Sequence, residues 1–260
     1  MNQDIAVSRG ISLRRVTALQ AQLTGMMDRV LPAKYRTYGR QYFRERLVPR
    51  YLARQQTIYD VGGGATPFLP PQRKAWLAAR VVGLDISASE LARAPEGSYD
   101  LTESVDIYAY AGRGDADLVI CQSVLEHVHD VGAAFASLAS ILRPGGRLLV
   151  FVPNRNAFFA RLNLMLPEAV KRRILFALYP HKQETCGFPV FYDRCTPRDF
   201  RALADACGLS VEDERHFFIC SYFFGLLPVY FIWRLWILAG ARIFGAQAAS
   251  TFCMVLRKPA

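Results

Sequence analysis

The fold is decided by the stretch Thr57-Ile58-Tyr59-Asp60-Val61-Gly62-Gly63-Gly64-Ala65-Thr66-Pro67. Apolar residues run into an aspartate, and the next three positions carry no side chain. Glycine adopts positive φ and has no Cβ, so this pattern predicts a buried strand that ends in a turn lying close to a ligand. In an α/β sheet, nucleotide-like cofactors bind at the carboxyl end of the first strand. We therefore expect a cofactor site at this turn.

Further strand-like segments follow at the spacing of a parallel, doubly wound sheet. The segment 81–87 begins with a short apolar run that ends at Asp85. A carboxylate at this position is placed to accept both hydroxyls of a ribose. Ser87 is placed to cap the next helix, with Glu90 three residues later. The sequence also predicts a helix at 130–142 and strands at 99–106, 116–121, 147–152, 208–216 and 251–256. Strands that alternate with helices predict an α/β fold, here a Rossmann-like, mostly parallel, seven-stranded sheet.

The order and spacing of these motifs resemble class I S-adenosylmethionine (SAM)-dependent methyltransferases, close to the branch that includes ubiquinone and menaquinone methyltransferases. The resemblance covers residues 56–154 and, more loosely, 196–260. The motifs that carry it are Asp60-Val61-Gly62-Gly63-Gly64, Leu84-Asp85, Asp117-Leu118-Val119, Leu125-Glu126-His127-Val128 and Leu142-Arg143-Pro144-Gly145-Gly146. The resemblance implies SAM as the cofactor. One departure is Thr66, which stands where the family usually has a third glycine and makes the loop stiffer.

The resemblance also implies which residues contact the cofactor. The glycine turn touches the methionine part, the acid after the second strand holds the ribose, and the acid after the third strand meets the adenine amine. Residues after the fourth strand line the sulfonium side. The residues implied are Asp60, Gly62 and Gly64 for methionine, Asp85 and Ile86 for ribose, Asp106 and Ile107 for adenine, and Gln122 and Ser123 for the sulfonium side.

Methyl transfer from a sulfonium is an in-line displacement, in which the protein mainly aligns the reacting atoms. An oxygen nucleophile must also lose its proton, and histidine is the usual base near neutral pH. The candidates are His127, with a structural role at a helix start as the alternative, and His181, with a solvated loop as the alternative. Glu184 shares the polar patch of His181, and we expect Glu184, Tyr192 and Arg194 to contact the substrate. No cysteines lie at zinc-ligand spacing, so no metal site is predicted.

Residues 1–56 carry eleven Lys and Arg against three acids, which is +8 of the total net charge of +10. The segments 13–31 and 35–52 are typical of helices, the second with an interruption at Pro49. Two interpretations stay open at this point. One is a helical extension that covers the sheet, and the other is a basic face against anionic lipid or nucleic acid.

From Phe217 to Trp233 the chain has no charged residue, and the apolar run resumes after Arg234. Its length is near the ~20 residues that a membrane span needs. If the flanking strands at 208–216 and 251–256 belong to one sheet, however, the chain must return to the side it left, and a single crossing is excluded. The remaining alternatives are an interfacial helix pair, a re-entrant hairpin kinked at Pro228, a homodimer interface or a buried cap. For membrane association, the residues suited to the headgroup boundary are Tyr222, Tyr230, Trp233, Arg234, Trp236 and Arg242.

These patterns divide the chain into a basic helical extension, 1–55, and a methyltransferase domain, 56–260. The domain carries a lid at 155–195 and a hydrophobic membrane-associating insertion at 221–248. No apolar leader is recognisable at the N-terminus, so no secretory signal is expected. We expect a cytoplasmic protein that is peripherally associated with the inner membrane.

The expected activity is O-methylation of a lipid-like or lipid-linked small molecule, such as a quinone precursor, a polyprenyl-linked glycan or an isoprenoid. One alternative is an RNA methyltransferase. Against it, Cys121-Gln122-Ser123-Val124 stands where amino-directed nucleic-acid methyltransferases carry an Asn-Pro-Pro-aromatic motif. The other alternative is a catalytically silent methyltransferase fold that serves as a membrane scaffold.

Overall fold

The computed structural model describes residues 19–20, 22–26, 28–166, 189–219 and 227–260. One sheet has the strand order β3-β2-β1-β4-β5-β7-β6. Strands β1 to β5 are parallel, and β7 runs antiparallel to both β5 and β6. The strands are β1 Thr57–Val61, β2 Arg80–Asp85, β3 Leu101–Ser104, β4 Ala116–Gln122, β5 Leu142–Pro153, β6 Ser210–Phe217 and β7 Thr251–Arg257. The predicted fold class is confirmed.

Helices cover both faces of this sheet. The first, α1, comprises residues 19–20, 22–26 and 28–29 of the described chain. The others are α2 Ala33–Arg36, α3 Gly39–Tyr42, α4 Pro71–Leu77, α5 Ala88–Ala92, α6 Val131–Ile141, α7 Phe158–Met165, α8 Pro197–Ala206 and α9 Leu227–Phe244. The predicted cap of α5 is confirmed, because the Ser87 hydroxyl accepts a hydrogen bond from the Glu90 backbone N–H at 3.3 Å.

Two predicted strand boundaries are wrong. Strand β3 is shorter than 99–106, because the Asp100 carboxylate accepts from the Val81 N–H before it and Asp106 caps a 3₁₀ turn after it. Strand β5 begins at Leu142 instead of residue 147. Leu142 pairs with Ala116, and an irregularity in register precedes the regular ladder that starts at Arg147. The Arg-Pro-Gly-Gly motif therefore bends the start of a strand and does not separate a helix from it.

The predicted helix at 35–52 is also wrong as a single element. Helix α2 is followed by extended residues at 37 and 38, by α3, by a π-helical turn at Phe43–Leu47 and by a 3₁₀ turn at Val48–Arg50. A Cβ at Gly39 would lie 2.8 Å from the Phe151 ring, so the chain packs directly on the sheet at this point. The segment is irregular because it follows the sheet surface.

The N-terminal segment contributes to the core of the domain. Phe43, Leu47 and Val48 are buried in a layer on one face of the sheet, together with Ile58 of β1. Successive strand residues point to opposite faces, and accordingly Tyr59 belongs to the layer on the other face, under α6 and α8. The division of the chain at residue 55 stays a prediction.

Helix α9 is a continuous helix of 18 residues. Pro228 lies in its first turn, where the missing N–H has no helical partner, so the helix has no kink there. The expectation that Tyr230, Trp233 and Arg234 lie at a headgroup boundary is wrong: they are 0%, 2% and 3% exposed and face the protein. Trp236, by contrast, is 62% exposed.

Candidate functional site

Asp60, the last polar residue of β1, holds the glycine turn together from inside the sheet. It is 4% exposed, and its Oδ2 accepts from the Phe68 N–H at 2.6 Å and from the Tyr99 hydroxyl at 3.3 Å. The same hydroxyl lies 3.3 Å from the Gly64 carbonyl oxygen. Burial raises the pKa of Asp60 to about 6, against the opposing effect of these hydrogen bonds. Asp60 and Tyr99 therefore fix the turn through hydrogen bonds from beneath it.

The turn needs glycine at two positions because of its backbone. Gly62 has φ +74° and Gly64 has φ +46°, which L side chains rarely adopt. A Cβ at Gly64 would also lie 3.0 Å from Oδ2 of Asp85. The bare backbone of the turn and the carboxylate at the end of β2 thus face each other. The prediction that the ribose-to-methionine part of a cofactor lies here concerns this cradle.

Asp85 is half-buried and points one oxygen into its own loop. Its Oδ1 accepts from the Ser87 N–H at 2.9 Å, which leaves Oδ2 on the side of the glycine turn. Burial raises the pKa of Asp85. The next residue, Ile86, is 58% exposed, whereas Ile107 is 6% exposed and belongs to the core. Asp106 is the N-cap of the 3₁₀ turn that contains Ile107.

Two arginines that sequence reasoning missed line the same pocket as the glycine turn. Arg40 and Arg44, together with Gln122 at the end of β4, surround a cleft over Asp60. One terminal atom of the Gln122 side-chain amide lies 3.1 Å from Nε and 3.3 Å from Nη2 of Arg40. The other terminal atom lies 3.4 Å from Nη1 of Arg44. The i, i+4 spacing of the arginines placed them on one helical face, but the sequence did not indicate what that face meets.

The loop after β4 is strained where it passes the site. Ser123 has φ +58° and is held by its N–H, which donates to the Phe151 carbonyl at 2.8 Å. Positive φ is uncommon for residues other than glycine, and such strain clusters at functional sites. The strain directs the chain from β4 into the 3₁₀ turn Leu125–His127.

His127 has its tautomer fixed by a contact with the backbone at Pro189. Its Nδ1 lies 2.8 Å from the Pro189 carbonyl oxygen. A carbonyl oxygen only accepts, so Nδ1 carries the proton and Nε2 is the basic nitrogen of the neutral ring. This contact fixes the orientation of the His127 ring, and its role as a base stays a prediction.

Glu126 is a second residue that the sequence analysis did not select. It is 5% exposed, and burial raises its pKa to about 8. Its Oε2 has no hydrogen-bond partner among the described residues. Its carbonyl oxygen accepts from the N–H groups of Phe191 and Tyr192 at 2.9 and 3.1 Å. The only sequence signal was its place next to His127.

The predicted substrate residues fall in three different situations. Tyr192 is 6% exposed and is packed in the core, so its side chain offers little surface to a substrate. Arg194 is exposed, and its Nη1 lies beside Gly132 at the first turn of α6. His181 and Glu184 lie outside the described residues. Among the described residues, the structure thus brings together the glycine turn, Asp85 and Gln122, whereas the Tyr192 side chain is packed in the core and Arg194 lies beside α6.

The chain belongs to the methyltransferase-domain family, whose profile matches residues 33–214. The match begins within the N-terminal segment that carries Arg40 and Arg44. The class predicted from the sequence, a SAM-dependent methyltransferase, is therefore confirmed, and SAM is the cofactor of that class.

Relatives with assigned activities are similar over part of their length. A ubiquinone biosynthesis O-methyltransferase from Thiobacillus denitrificans is 35% identical over 163 residues, which are 60% of this chain and 65% of the relative. One from a Bradyrhizobium strain is 38% identical over 104 residues, 38% of this chain and 40% of the relative. The chain thus spans less than two thirds of the length of these two relatives.

Solved structures share the fold at low sequence identity. A SAM-dependent methyltransferase from Archaeoglobus fulgidus superposes with a TM-score of 0.52 at 17% identity, covering 85% of this chain and 95% of that one. One from Methanosarcina mazei gives 0.50 at 16% identity, covering 82% and 97%. These likenesses support the doubly wound architecture described above.

Proposed function

We propose that the chain transfers the methyl group of SAM to an oxygen atom of a lipid-like or lipid-linked small molecule at the cytoplasmic face of a membrane. The observation that carries the oxygen acceptor is His127, whose Nδ1 is committed to the Pro189 carbonyl. A base with a fixed tautomer is what a hydroxyl nucleophile needs and a more nucleophilic amine or thiolate does not. The O-methyltransferase relatives agree with this assignment.

The residues at the glycine turn fit the cofactor in charge as well as in shape. When bound, SAM supplies an electrophilic methyl group on a sulfonium. Asp85 is assigned to the ribose hydroxyls through Oδ2, and Arg40 and Arg44 to the methionine carboxylate, because a guanidinium pairs with a carboxylate in a planar fork. Asp60 stays behind the turn as its support.

His127 is assigned to hold the proton that leaves the acceptor hydroxyl, at Nε2. Glu126, whose buried carboxyl lies in the same 3₁₀ turn, is assigned to position that turn through its carbonyl oxygen. The pKa of Glu126 is raised to about 8, so its carboxyl is neutral at pH 7 and adds no charge beside the imidazole.

The membrane proposal rests on a layer of three helices, α1, α7 and α9, which we call the outer helix layer. Helix α9 is central, since Asp28 of α1 contacts Arg234 and the Phe158 ring of α7 lies 6.5 Å from the Trp236 ring. The outward residues of α9 are apolar, with Ile232 68% exposed and Trp236 62% exposed. The exposed apolar residues of the flanking helices are Leu19, Leu23, Met26, Phe158, Leu162, Leu164 and Met165.

The charges of the outer helix layer favour an anionic lipid surface as its partner. The described residues of these three helices include one carboxylate, Asp28, and it is buried against Arg234. Exposed arginines at 29, 161 and 242 lie on the same helices. Apolar surface rimmed by cations matches the headgroup region of an anionic bilayer.

Helix α9 lies on the membrane in this proposal and does not cross it. Residues Leu227–Ala248 are the one helix of the described chain that is long and apolar enough to span by length and composition. Its inner face, however, is fixed by Arg234, which pairs with Asp28 at 2.8 Å and donates to the carbonyls of Phe218 and Tyr35. A spanning helix would have to break these buried contacts.

The acceptor is tested with SAM that carries a labelled methyl group. The full chain is incubated with a bacterial lipid extract or with total RNA, and label is counted in each fraction. We expect label in the lipid fraction that a base wash does not remove. His127→Gln should abolish most of the transfer while SAM affinity stays unchanged. Label in RNA, or undiminished transfer by His127→Gln, would contradict the proposal.

The membrane is tested separately by flotation with vesicles of phosphatidylcholine and phosphatidylglycerol. Ile232→Glu should lower vesicle affinity about tenfold or more, since it removes an apolar side chain worth about 1.5–3 kcal/mol of burial. The matched control is Trp76→Glu on α4, which is 58% exposed away from the outer helix layer. A different outcome is that the wild type binds no vesicles and forms a dimer, which Ile232→Glu disrupts. That result would assign this face to contact with a second copy of the chain.

A further inference from the structure

A second polar cavity lies on the N-terminal segment, apart from the cofactor pocket. It has a volume of about 280 Å³ and is lined by Arg36, Tyr38, Tyr42, Glu45 and Arg46, among others. We infer that this cavity binds a phosphate group, and that the headgroup of an anionic lipid supplies it. The choice of lipid as the source rests on the membrane proposal above, whereas the phosphate chemistry does not.

The charges in the cavity are set for an anion. Glu45 is its one carboxylate, and it accepts from the Gln41 amide at 3.0 Å. Within the part of the chain that the structure describes, neither Arg36 nor Arg46 forms an ion pair with a carboxylate. Two guanidinium groups that form no ion pair with a described carboxylate match the donors that phosphate oxygens accept from.

The position of the cavity connects it to the outer helix layer. Arg36 Nη1 donates to the Arg29 carbonyl at 3.3 Å, at the end of α1. Val30 follows directly and is 85% exposed. A headgroup phosphate in the cavity would therefore sit beside apolar side chains that contact the acyl region.

The cavity is distinct from the cofactor pocket because the helical turns at 39–47 have three faces. Phe43 and Leu47 point into the core. Arg40 and Arg44 point to the glycine turn. The residues at positions 41, 42, 45 and 46 point away from it and line the second cavity. Substitutions in this cavity can therefore be tested without removing a residue assigned to SAM.

The test compares two pairs of substitutions in the full chain that remove the same charge. The cavity pair is Arg36→Gln with Arg46→Gln, and the control pair is Arg50→Gln with Arg54→Gln, both exposed and outside the cavity. Flotation with phosphatidylcholine vesicles that contain phosphatidylglycerol should show affinity about 30-fold weaker for the cavity pair, from about 1 kcal/mol per arginine. The control pair should lose about threefold or less. Equal losses in both pairs would overturn the headgroup assignment.

Inorganic phosphate, titrated calorimetrically without vesicles, separates the two sources. Phosphate binding that is lost in the cavity pair, with vesicle affinity unchanged, supports the phosphate site and makes free phosphate its ligand. No phosphate binding, together with equal vesicle losses, overturns the inference. Unchanged SAM affinity in the cavity pair shows that the fold is intact. If neither the wild type nor any variant binds vesicles, and the wild type still binds phosphate, the membrane proposal is refuted and the cavity remains a phosphate site.

Discussion

The glycine-turn edge of the sheet and the outer helix layer are built in opposite ways. At the sheet edge, an apolar frame presents polar groups, namely Asp85, Gln122 and two arginines, to a cleft. In the outer helix layer, the ion pair of Asp28 and Arg234 is buried and apolar side chains face outward. The first arrangement suits a charged cofactor, and the second suits an apolar environment. Under the proposed function the two regions have separate partners, so substitutions in one region should leave the binding by the other intact.

The largest expected effect is on stability, in the outer helix layer. Arg234→Ala leaves Asp28 buried without its cation and removes two hydrogen bonds to carbonyls. Breaking one side of a buried pair costs about 3–5 kcal/mol, so the free energy of unfolding should fall by that amount in urea denaturation. The control is Arg242→Ala on the exposed side of α9, which should change stability by less than about 0.5 kcal/mol.

A second variant separates the charge from the packing. Asp28→Leu combined with Arg234→Met removes both charges at once, and it should recover part of the stability lost in Arg234→Ala. If Arg234→Ala is as stable as the wild type, the ion pair of Asp28 and Arg234 does not hold α9 to α1. The claim that a buried ion pair fixes the outer helix layer is then refuted.

The next effect is on cofactor affinity, at the sheet edge. Asp85→Ala removes a charged acceptor worth about 1.5–3 kcal/mol, so SAM should bind about ten- to a hundredfold more weakly. Calorimetric titration measures this, with the exposed Glu96→Ala as a control for lost negative charge. Vesicle binding by Asp85→Ala should equal that of the wild type. A parallel loss of both activities would mean that the two regions are coupled.

A pH effect distinguishes Glu126 from the exposed acids. Its folded pKa is raised to about 8 from 4.5, so the folded state holds a proton that the unfolded state has released between these values. Stability should therefore fall as pH rises through this window, with a slope near 1.4 kcal/mol per pH unit. Glu126→Gln stays neutral and should lack this part of the slope. Identical pH profiles in denaturant titrations would place Glu126 in contact with solvent.

Substitution of Trp236 should have the smallest effect on stability and a clear effect on binding to vesicles. Trp236→Ser should change the free energy of unfolding by less than about 0.5 kcal/mol, because the side chain is 62% exposed. Its affinity for anionic vesicles should nonetheless fall, as Trp favours the interface of a bilayer. A large loss of stability in thermal denaturation would show that Trp236 is part of the core in solution.

The two regions also differ in how far the sequence predicted them. The sheet edge was predicted because its signals are local: Asp60 and the glycines are consecutive, and Asp85 ends a short apolar run. The outer helix layer was not predicted, because its key contact joins Asp28 of α1 to Arg234 of α9, which lie far apart in the sequence. An apolar helix with one arginine is typical of a membrane surface, and only tertiary contact shows that the arginine faces inward. Arg40 and Arg44 were missed for the same reason, since their target lies on another element.

The most direct test of the account is a calorimetric titration of the wild-type chain with SAM and with S-adenosylhomocysteine, in solution without vesicles. The account predicts saturable binding of one equivalent of either compound, since the glycine turn, Asp85 and the arginines are all in place without lipid. A protein that is folded by circular dichroism yet binds neither compound would contradict it. The polar edge of the sheet would then have no cofactor to hold.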